Sequence, residues 1–375
     1  MLLENVMYEE RNLHNQKDFV NDDKSQFSSS TTLPNINSIS SETHECSTEH
    51  VKNNSAPIKN EEYLSLAKTM SIQDRRKSYT DEINIFTNQI IFLKNNTYSY
   101  KQSISNCLGQ GSYGRVFKGT TANNVGVAVK EMLSVFVKEN EMQVMKLVSS
   151  DFLVKLLDIC QDNISFNTYL IMELCDTDLM QFLKMNNVLY NDNLRVVIDN
   201  VVRGYFALYQ NKIVHRDLKP QNILIMLDKN VCNNVINQSN VILSAKITDF
   251  GISRVLENDD DGESMQLSNV AGTLHYMAPE VGVNLLHVSN YNYPVDIWSM
   301  GCVFYECLMG KIPFDEKEIC RLFLYAAGKN YDAYEKPSFE HNNGKEYHEI
   351  IDGMLEIDDR KRTKPKELLK YIETL

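Results

Sequence analysis

The stretch H-R-D-L-K-P-Q-N at residues 215–222 places an aspartate, a lysine and an asparagine (Asp217, Lys219 and Asn222) on one short loop. That set can orient a hydroxyl, steady a phosphate in transit and hold a metal ion. Downstream stand D-F-G at 249–251 and A-P-E at 278–280. Upstream stand L-G-Q-G-S-Y-G-R-V at 108–116 and V-A-V-K at 127–130. Five such strings in one order, at workable separations, do not arise readily by chance.

Together these strings resemble the eukaryotic protein kinase family, serine/threonine type, over roughly residues 97–374. The resemblance implies an α+β, bilobal fold. A small β-rich N-lobe would occupy about 97–173 and a larger, mainly α-helical C-lobe about 174–374. Residue patterning agrees independently. Short apolar strands fit 105–108, 116–119, 125–130, 156–159 and 169–172, with a helical stretch near 134–148. Amphipathic or apolar helices fit 194–210 and 295–310. Residues 226–244 are longer than expected between the 215–222 loop and D-F-G, and their Asn-rich middle reads as a solvated insertion between two strands that keep pairing.

Residues 1–95 differ in kind. S-S-S-T-T, S-I-S-S-E-T and many Asn and charged residues leave too little apolar surface to offset ordering entropy, so this tail is expected to be mostly disordered. Two islands stand out: residues 61–72, with Leu64, Ala67 and Met70 near helical spacing, and the apolar run 84–93, readable as a strand or an apron on the small lobe.

The resemblance assigns roles by position. Gly109, Gly111 and Gly114 would let the backbone approach phosphate oxygens, with Leu108 and Val116 beside the nucleotide. A G-x-G-x-x-G run also occurs in dinucleotide folds, where it opens a helix; here R-V-F-K-G reads as a returning strand. Lys130, with Ala128 on the adenine side, would contact the α- and β-phosphates. Glu139 and Glu141 are the candidates to hold it, and counting back from F-L-V-K-L favours Glu141. Met172 would be the gatekeeper, and Glu173 to Cys175 the hinge beside the base. Asp178 would contact ribose or a basic substrate residue, or act as a helix N-terminal charge.

Asp217 is the expected base or hydroxyl orienter, and Lys219 the group that neutralises the transferring phosphate. Asn222 and Asp249 would hold magnesium as hard oxygen ligands, so the implied cofactors are ATP and Mg. Lys219 and Thr273 match serine/threonine rather than tyrosine kinases, with dual specificity left open. Asp296 and Trp298 would anchor the catalytic loop, and Arg362 would pair with Glu280. Met145, Leu156, His215 and Phe250 would stack between the lobes. Arg216 would receive an activating phosphate at Ser268 or Ser264, with the acidic run 257–263 as the rival source of charge.

Composition bounds the rest. The net charge of −12 argues against a large basic face for nucleic acid. Eight cysteines without C-x-x-C spacing read as free thiols of a reducing compartment. The acidic N-terminus is unlike a signal peptide, and no apolar run is long enough to span a bilayer, so no membrane insertion is expected. The expected location is cytoplasmic or nuclear. Expected partners are protein substrates and an upstream activating kinase. Two rival readings remain: a pseudokinase scaffold, disfavoured because Lys130, Asp217, Asn222 and Asp249 are all present, and a protein acting chiefly through its tail.

Overall fold

The structure is a computed structural model. It describes residues 86–111, 114–134, 139–162, 165–229, 241–250, 254–255, 274–284, 292–340 and 342–375. Most of the tail, with its island at 61–72, lies outside the described residues, as do Thr273, Ser264, Ser268 and the acidic run 257–263.

Seven antiparallel strands form one sheet: β1 (Ile90–Leu93), β2 (Tyr98–Lys101), β3 (Cys107–Gly111), β4 (Gly114–Thr121), β5 (Gly126–Leu133), β6 (Leu156–Asp162) and β7 (Asn167–Glu173). Their order is β1-β2-β4-β5-β7-β6, with β3 also on β4. Helix α1 (Glu139–Leu147) follows β5. The sheet uses its period of two to divide its side chains between two faces. Tyr100, Phe117, Val127, Val129, Tyr169 and Ile171 belong to one apolar cluster. Ala128, Val154 and Met172 belong to another, against which Val116, Met145, Leu156 and Leu224 pack.

The folded sheet begins earlier than residue 97. Strand β1 pairs with β2 from Ile90↔Lys101 to Leu93↔Tyr98, and Leu93 is wholly buried. Phe86 packs against the same cluster. Residues 86–93 of the apolar run are thus part of the small lobe. Its strand character depends on a partner, β2, that the run itself does not reveal.

After Glu173 the chain becomes helical: α2 (Leu179–Asn186), α3 (Asn191–Gln210), α4 (Pro279–Asn284), α5 (Pro294–Met309), α6 (Glu316–Gly328), α7 (His348–Met354) and α8 (Pro365–Thr374). Helix α5 is buried along nearly its whole length, with Trp298 1% exposed, and is the spine of the large core. Gly310 ends it in the left-handed region, where a side chain would be strained.

Small strands carry the loops of the large lobe: β8 (Thr177–Asp178), β9 (Ile213–Val214), β10 (Ile223–Leu227), β11 (Ile242–Ile247) and β12 (Arg254–Val255). Strand β10 lies between β11 and β8, and β12 pairs with β9. The strands flanking the insertion keep register from Ile223↔Ile247 to Met226↔Ser244, with an irregularity before Leu227↔Ile242. Residues 230–240 lie outside the described residues.

Candidate active site

Strand β9 leads into the loop His215–Asp217, and β10 leaves it after Asn222; helix α5 fixes the turn from below. The Asp296 carboxylate, wholly buried, accepts the His215 N–H at 2.7 Å and the Arg216 N–H at 2.7 Å. Burial raises the Asp296 carboxyl above its ordinary value, against the opposing pull of these N–H bonds. Arg216 sits at φ +70°, a left-handed conformation that a non-glycine residue keeps only when its surroundings over-determine it. The expected anchoring role of Asp296 has this geometry.

His215 is 0% exposed. Its Nδ1 accepts the Asp217 N–H at 3.3 Å, so the ring proton sits on Nε2, which donates to the Thr248 carbonyl at 3.0 Å. The ring also meets Phe250 edge-on, with centroids 5.5 Å apart. One imidazole thereby joins the 215–222 loop to the residues on either side of Asp249. Met145 packs against both the large core and the cluster that contains Met172.

The polar centre is compact. Lys219 Nζ donates to Asp217 Oδ2 at 2.7 Å. Asn222 Nδ2 donates to the Asp217 carbonyl at 2.8 Å and to Oδ2 at 3.1 Å. Asp217 Oδ1 is buried and has no hydrogen-bond partner among the described residues. One carboxylate oxygen is therefore fixed by two donors while the other is left for an incoming group. The Asn222 nitrogen is committed to Asp217, which leaves its amide oxygen as an acceptor.

Lys130 lies across the cleft, paired with Asp249 Oδ1 at 3.3 Å. Asp249 keeps 48% of its side chain open to solvent and sits at φ +63°. Loss of surrounding water opposes its charge, but Lys130 first, then Lys219, hold the carboxyl below the usual range. Glu141 lies on α1, downstream of Lys130 in the chain; its side chain is outside the description.

Above this centre, β3 and β4 form the glycine-bearing hairpin, and the expected returning strand is β4. Among the described residues a Cβ at Gly109 or Gly111 would meet nothing within 4 Å, which leaves room there for a ligand. Gly114 is different: a Cβ there would lie 2.1 Å from the Glu131 carbonyl oxygen. Val116, Ala128 and Met172 share one apolar cluster, and Leu108 is 51% exposed on β3.

Two expected positions have a partner already. The Asp178 side chain accepts the Gln181 N–H at 2.9 Å and caps α2, which is the helix-terminal alternative. The Glu173 side chain takes Lys246 at 2.8 and 2.9 Å and the Lys155 N–H at 2.7 Å, so it ties the hinge to β11. Burial, then Glu173, pushes the Cys175 thiol up to about 12.

Sequence reasoning missed Leu224, which packs from the large lobe against the cluster of Ala128, Val154 and Met172, as Val116 does from β4. Its signal was its place two residues after Asn222 in an apolar strand. Lys246 was also missed; a lysine inside I-L-S-A-K-I, 8% exposed, requires an acidic partner. Arg362 does reach Glu280, at 2.7 and 3.1 Å, and lies over the Trp298 ring at 5.1 Å.

The donor set fits a magnesium nucleotide: hard oxygens at Asp249 and Asn222, cations at Lys130 and Lys219, and an open backbone at Gly109 and Gly111. The sequence matches the protein kinase domain family over residues 102–372. It is 32% identical over 235 residues to a probable cyclin-dependent kinase 8 of Dictyostelium discoideum, covering 59% of this chain and 56% of that protein. It is 33% identical over 217 residues to mitogen-activated protein kinase 2 of Arabidopsis thaliana, covering 55% and 52%. It is 30% identical over 233 residues to the serine/threonine-protein kinase fused of Drosophila melanogaster, covering 59% and 26%. The matched part thus spans about a quarter to just over half of these relatives' lengths. The site geometry and the family match over most of the chain agree: this chain belongs to the protein kinase domain family.

Proposed function

We propose that the chain is an ATP- and Mg-dependent protein serine/threonine kinase, transferring the γ-phosphate of ATP to Ser and Thr hydroxyls of protein substrates. The observation that carries this reading is Asp217, with Oδ2 held by Lys219 and Asn222 and Oδ1 buried and open. A substrate hydroxyl bound at Oδ1 would be oriented for in-line attack, and positioning is the main source of rate in loose phosphoryl-transfer transition states. Asn222 and Asp249 would hold magnesium. Once bound, the metal neutralises phosphate charge as it builds. Lys130 would clamp the α- and β-phosphates, Lys219 would meet the transferring group, and Leu224, Ala128, Val116 and Met172 would enclose adenine.

In this reading the catalytic domain starts near residue 86, and the preceding tail regulates or docks. Ser268, with Ser264 as the lesser candidate, receives an activating phosphate from an upstream kinase and pairs with Arg216. Lys219 and Thr273 favour Ser/Thr acceptors. The protein acts in the cytoplasm or nucleus and has no nucleic-acid partner. Among the described residues no helix is long and apolar enough to cross a membrane.

The test is phosphate transfer from Mg-ATP by the purified full chain. Lys130→Met and Asp249→Asn are expected to abolish it, and Asp217→Asn to abolish it while leaving nucleotide binding largely intact. Phosphoamino-acid analysis is expected to give phosphoserine and phosphothreonine. Equal transfer by all three variants would reject the kinase assignment, and dominant phosphotyrosine would reject the acceptor.

A further inference from the structure

The outer face of the small lobe carries a buried polar chain, in a layer otherwise apolar. Arg115 and Glu131 stand directly opposite each other on β4 and β5, one position along from Val116↔Lys130. Their side chains are each 8% exposed and meet at 3.4 Å. Gln102 Nε2 donates to both Glu131 oxygens, at 3.2 and 3.1 Å. Gln102 Oε1 in turn accepts from Thr87 Oγ1 at 2.5 Å. The backbones of Asn88 and Gln89 bond to Gln102 at 3.0 and 2.9 Å. The Arg115 guanidinium lies beside two rings that meet edge to face, 5.4 Å from Phe86 and 5.3 Å from Phe117. Burial raises the Glu131 carboxyl, and Arg115 and Gln102 oppose that shift.

The ends of this chain are informative. Arg115 immediately follows Gly114, the last glycine of the turn. Glu131 immediately follows Lys130, and its carbonyl is what leaves no room for a Cβ at Gly114. The base of the glycine turn therefore rests on Glu131, and Glu131 is held from behind by Gln102 and Thr87. A buried ion pair adds little net stability over apolar residues of similar volume, so geometry is the better account of why one sits here.

We infer that Phe86, Thr87, Gln102, Glu131 and Arg115 form a positioning strap, by which the segment entering the small lobe sets the height of the glycine turn over the nucleotide and hence the affinity for ATP. These are positioning residues, acting through Gly114 and Lys130. The inference rests on the reading of that turn as the phosphate-binding element.

The experiment measures mant-ATP binding in the presence of Mg, and KM for ATP against kcat, on the full chain. It compares wild type, Thr87→Val, Arg115→Ala, Arg115→Lys and Lys130→Met. Thr87 is exposed, and its hydroxyl only donates to Gln102 and accepts the Gln89 N–H at 3.4 Å, so Thr87→Val is the variant safest for folding. Loss of one hydrogen bond in the strap is expected to raise KM for ATP and weaken mant-ATP about three- to tenfold, with kcat within about twofold. Arg115→Ala is expected to show the same split, partly restored in Arg115→Lys. Unchanged KM in both Thr87→Val and Arg115→Ala, or a fall confined to kcat, overturns the strap while leaving the nucleotide site intact. Wild type and Lys130→Met failing alike to bind mant-ATP overturns the nucleotide reading and the strap with it.

Discussion

At the scale of single residues, environment decides which groups stay silent and which stay poised. Cys175 is the instructive case. Burial is the larger cause and Glu173 the smaller, and together they push its thiol up to about 12. A raised thiol pKa leaves less thiolate, the reactive form, at any neutral pH. Relative to an ordinary cysteine near 8.5, thiolate at pH 8 falls by roughly 10³. Iodoacetamide labelling of Cys175, read by peptide mass spectrometry, is thus expected to be very slow at pH 7.5 and to rise about tenfold per pH unit up to pH 9. Glu173→Gln removes the repulsion of the thiolate and leaves Lys246 beside it, so labelling should speed up. Rapid labelling of the wild type at pH 7.5 would show that the hinge is open to water. At this same scale the sequence was most legible where residues act within one loop: Asp217, Lys219 and Asn222 meet as their spacing implied. It was least legible where a partner comes from far along the chain. Lys246 and Glu173 are 73 residues apart, and nothing near either one names the other.

Between residue and molecule stand elements held by single polar ties. Arg362 is wholly buried and links α8's approach to α4: it grips Glu280 with two nitrogens and also donates to the Pro294 and Glu356 carbonyls. Removing it takes the buried guanidinium N–H donors away from Glu280 and the two carbonyls. Arg362→Ala is expected to cost about 3–5 kcal/mol in urea unfolding, and Arg362→Lys to recover little because a point charge cannot replace the fork. A loss below about 1 kcal/mol would mean the site relaxes or water takes over the role. The insertion makes the opposite case. Strands β10 and β11 keep register close to its ends, and the flanking ladder carries the order. Replacing residues 228–241 by a four-residue turn changes loop-closure entropy by only about 1 kcal/mol. Stability and phosphate transfer are expected to be nearly unchanged. Lost transfer with an unchanged urea midpoint would give the insertion a part in function. The insertion's place between two strands was legible in the sequence, because its Asn-rich composition contrasts with the apolar runs on either side. The Arg115–Glu131–Gln102 chain was not, since an alternating strand pattern gives no sign that two of its outward positions are charged and buried.

For the whole molecule, the question is where the cooperative fold begins. Motifs located the cleft, but they do not mark a boundary, because the N-terminal strand needs no special chemistry. It needs only a neighbour. Strand β1 supplies four paired positions to β2, buries Leu93 completely, and brings Phe86 within 6.3 Å of Phe117, edge to face. Lys94 adds an ion pair to Asp158 at 2.6 Å, which bears on β6 at the other end of the strand order. Removing Leu93 alone forfeits about 1.5–3 kcal/mol of burial, and stripping β1 leaves β2 as a bare edge over an uncovered cluster. Whole domains have about 5–15 kcal/mol in reserve, so this is a large share. A chain beginning at residue 81 is therefore expected to match the full chain in urea midpoint and in phosphate transfer. A chain beginning at residue 97 is expected to be several kcal/mol less stable, to bind dyes that report exposed apolar surface, and to aggregate on mild warming. The comparison also separates packing from positioning: Thr87→Val in the longer chain should alter ATP affinity while lowering stability in urea by no more than about 1–2 kcal/mol, the worth of the two hydrogen bonds of an exposed hydroxyl. If the chains beginning at 81 and 97 unfold at the same urea concentration, the β1–β2 hairpin lies outside the cooperative unit. The cover it gives Tyr100 and Phe117 would then contribute nothing to holding the small lobe together.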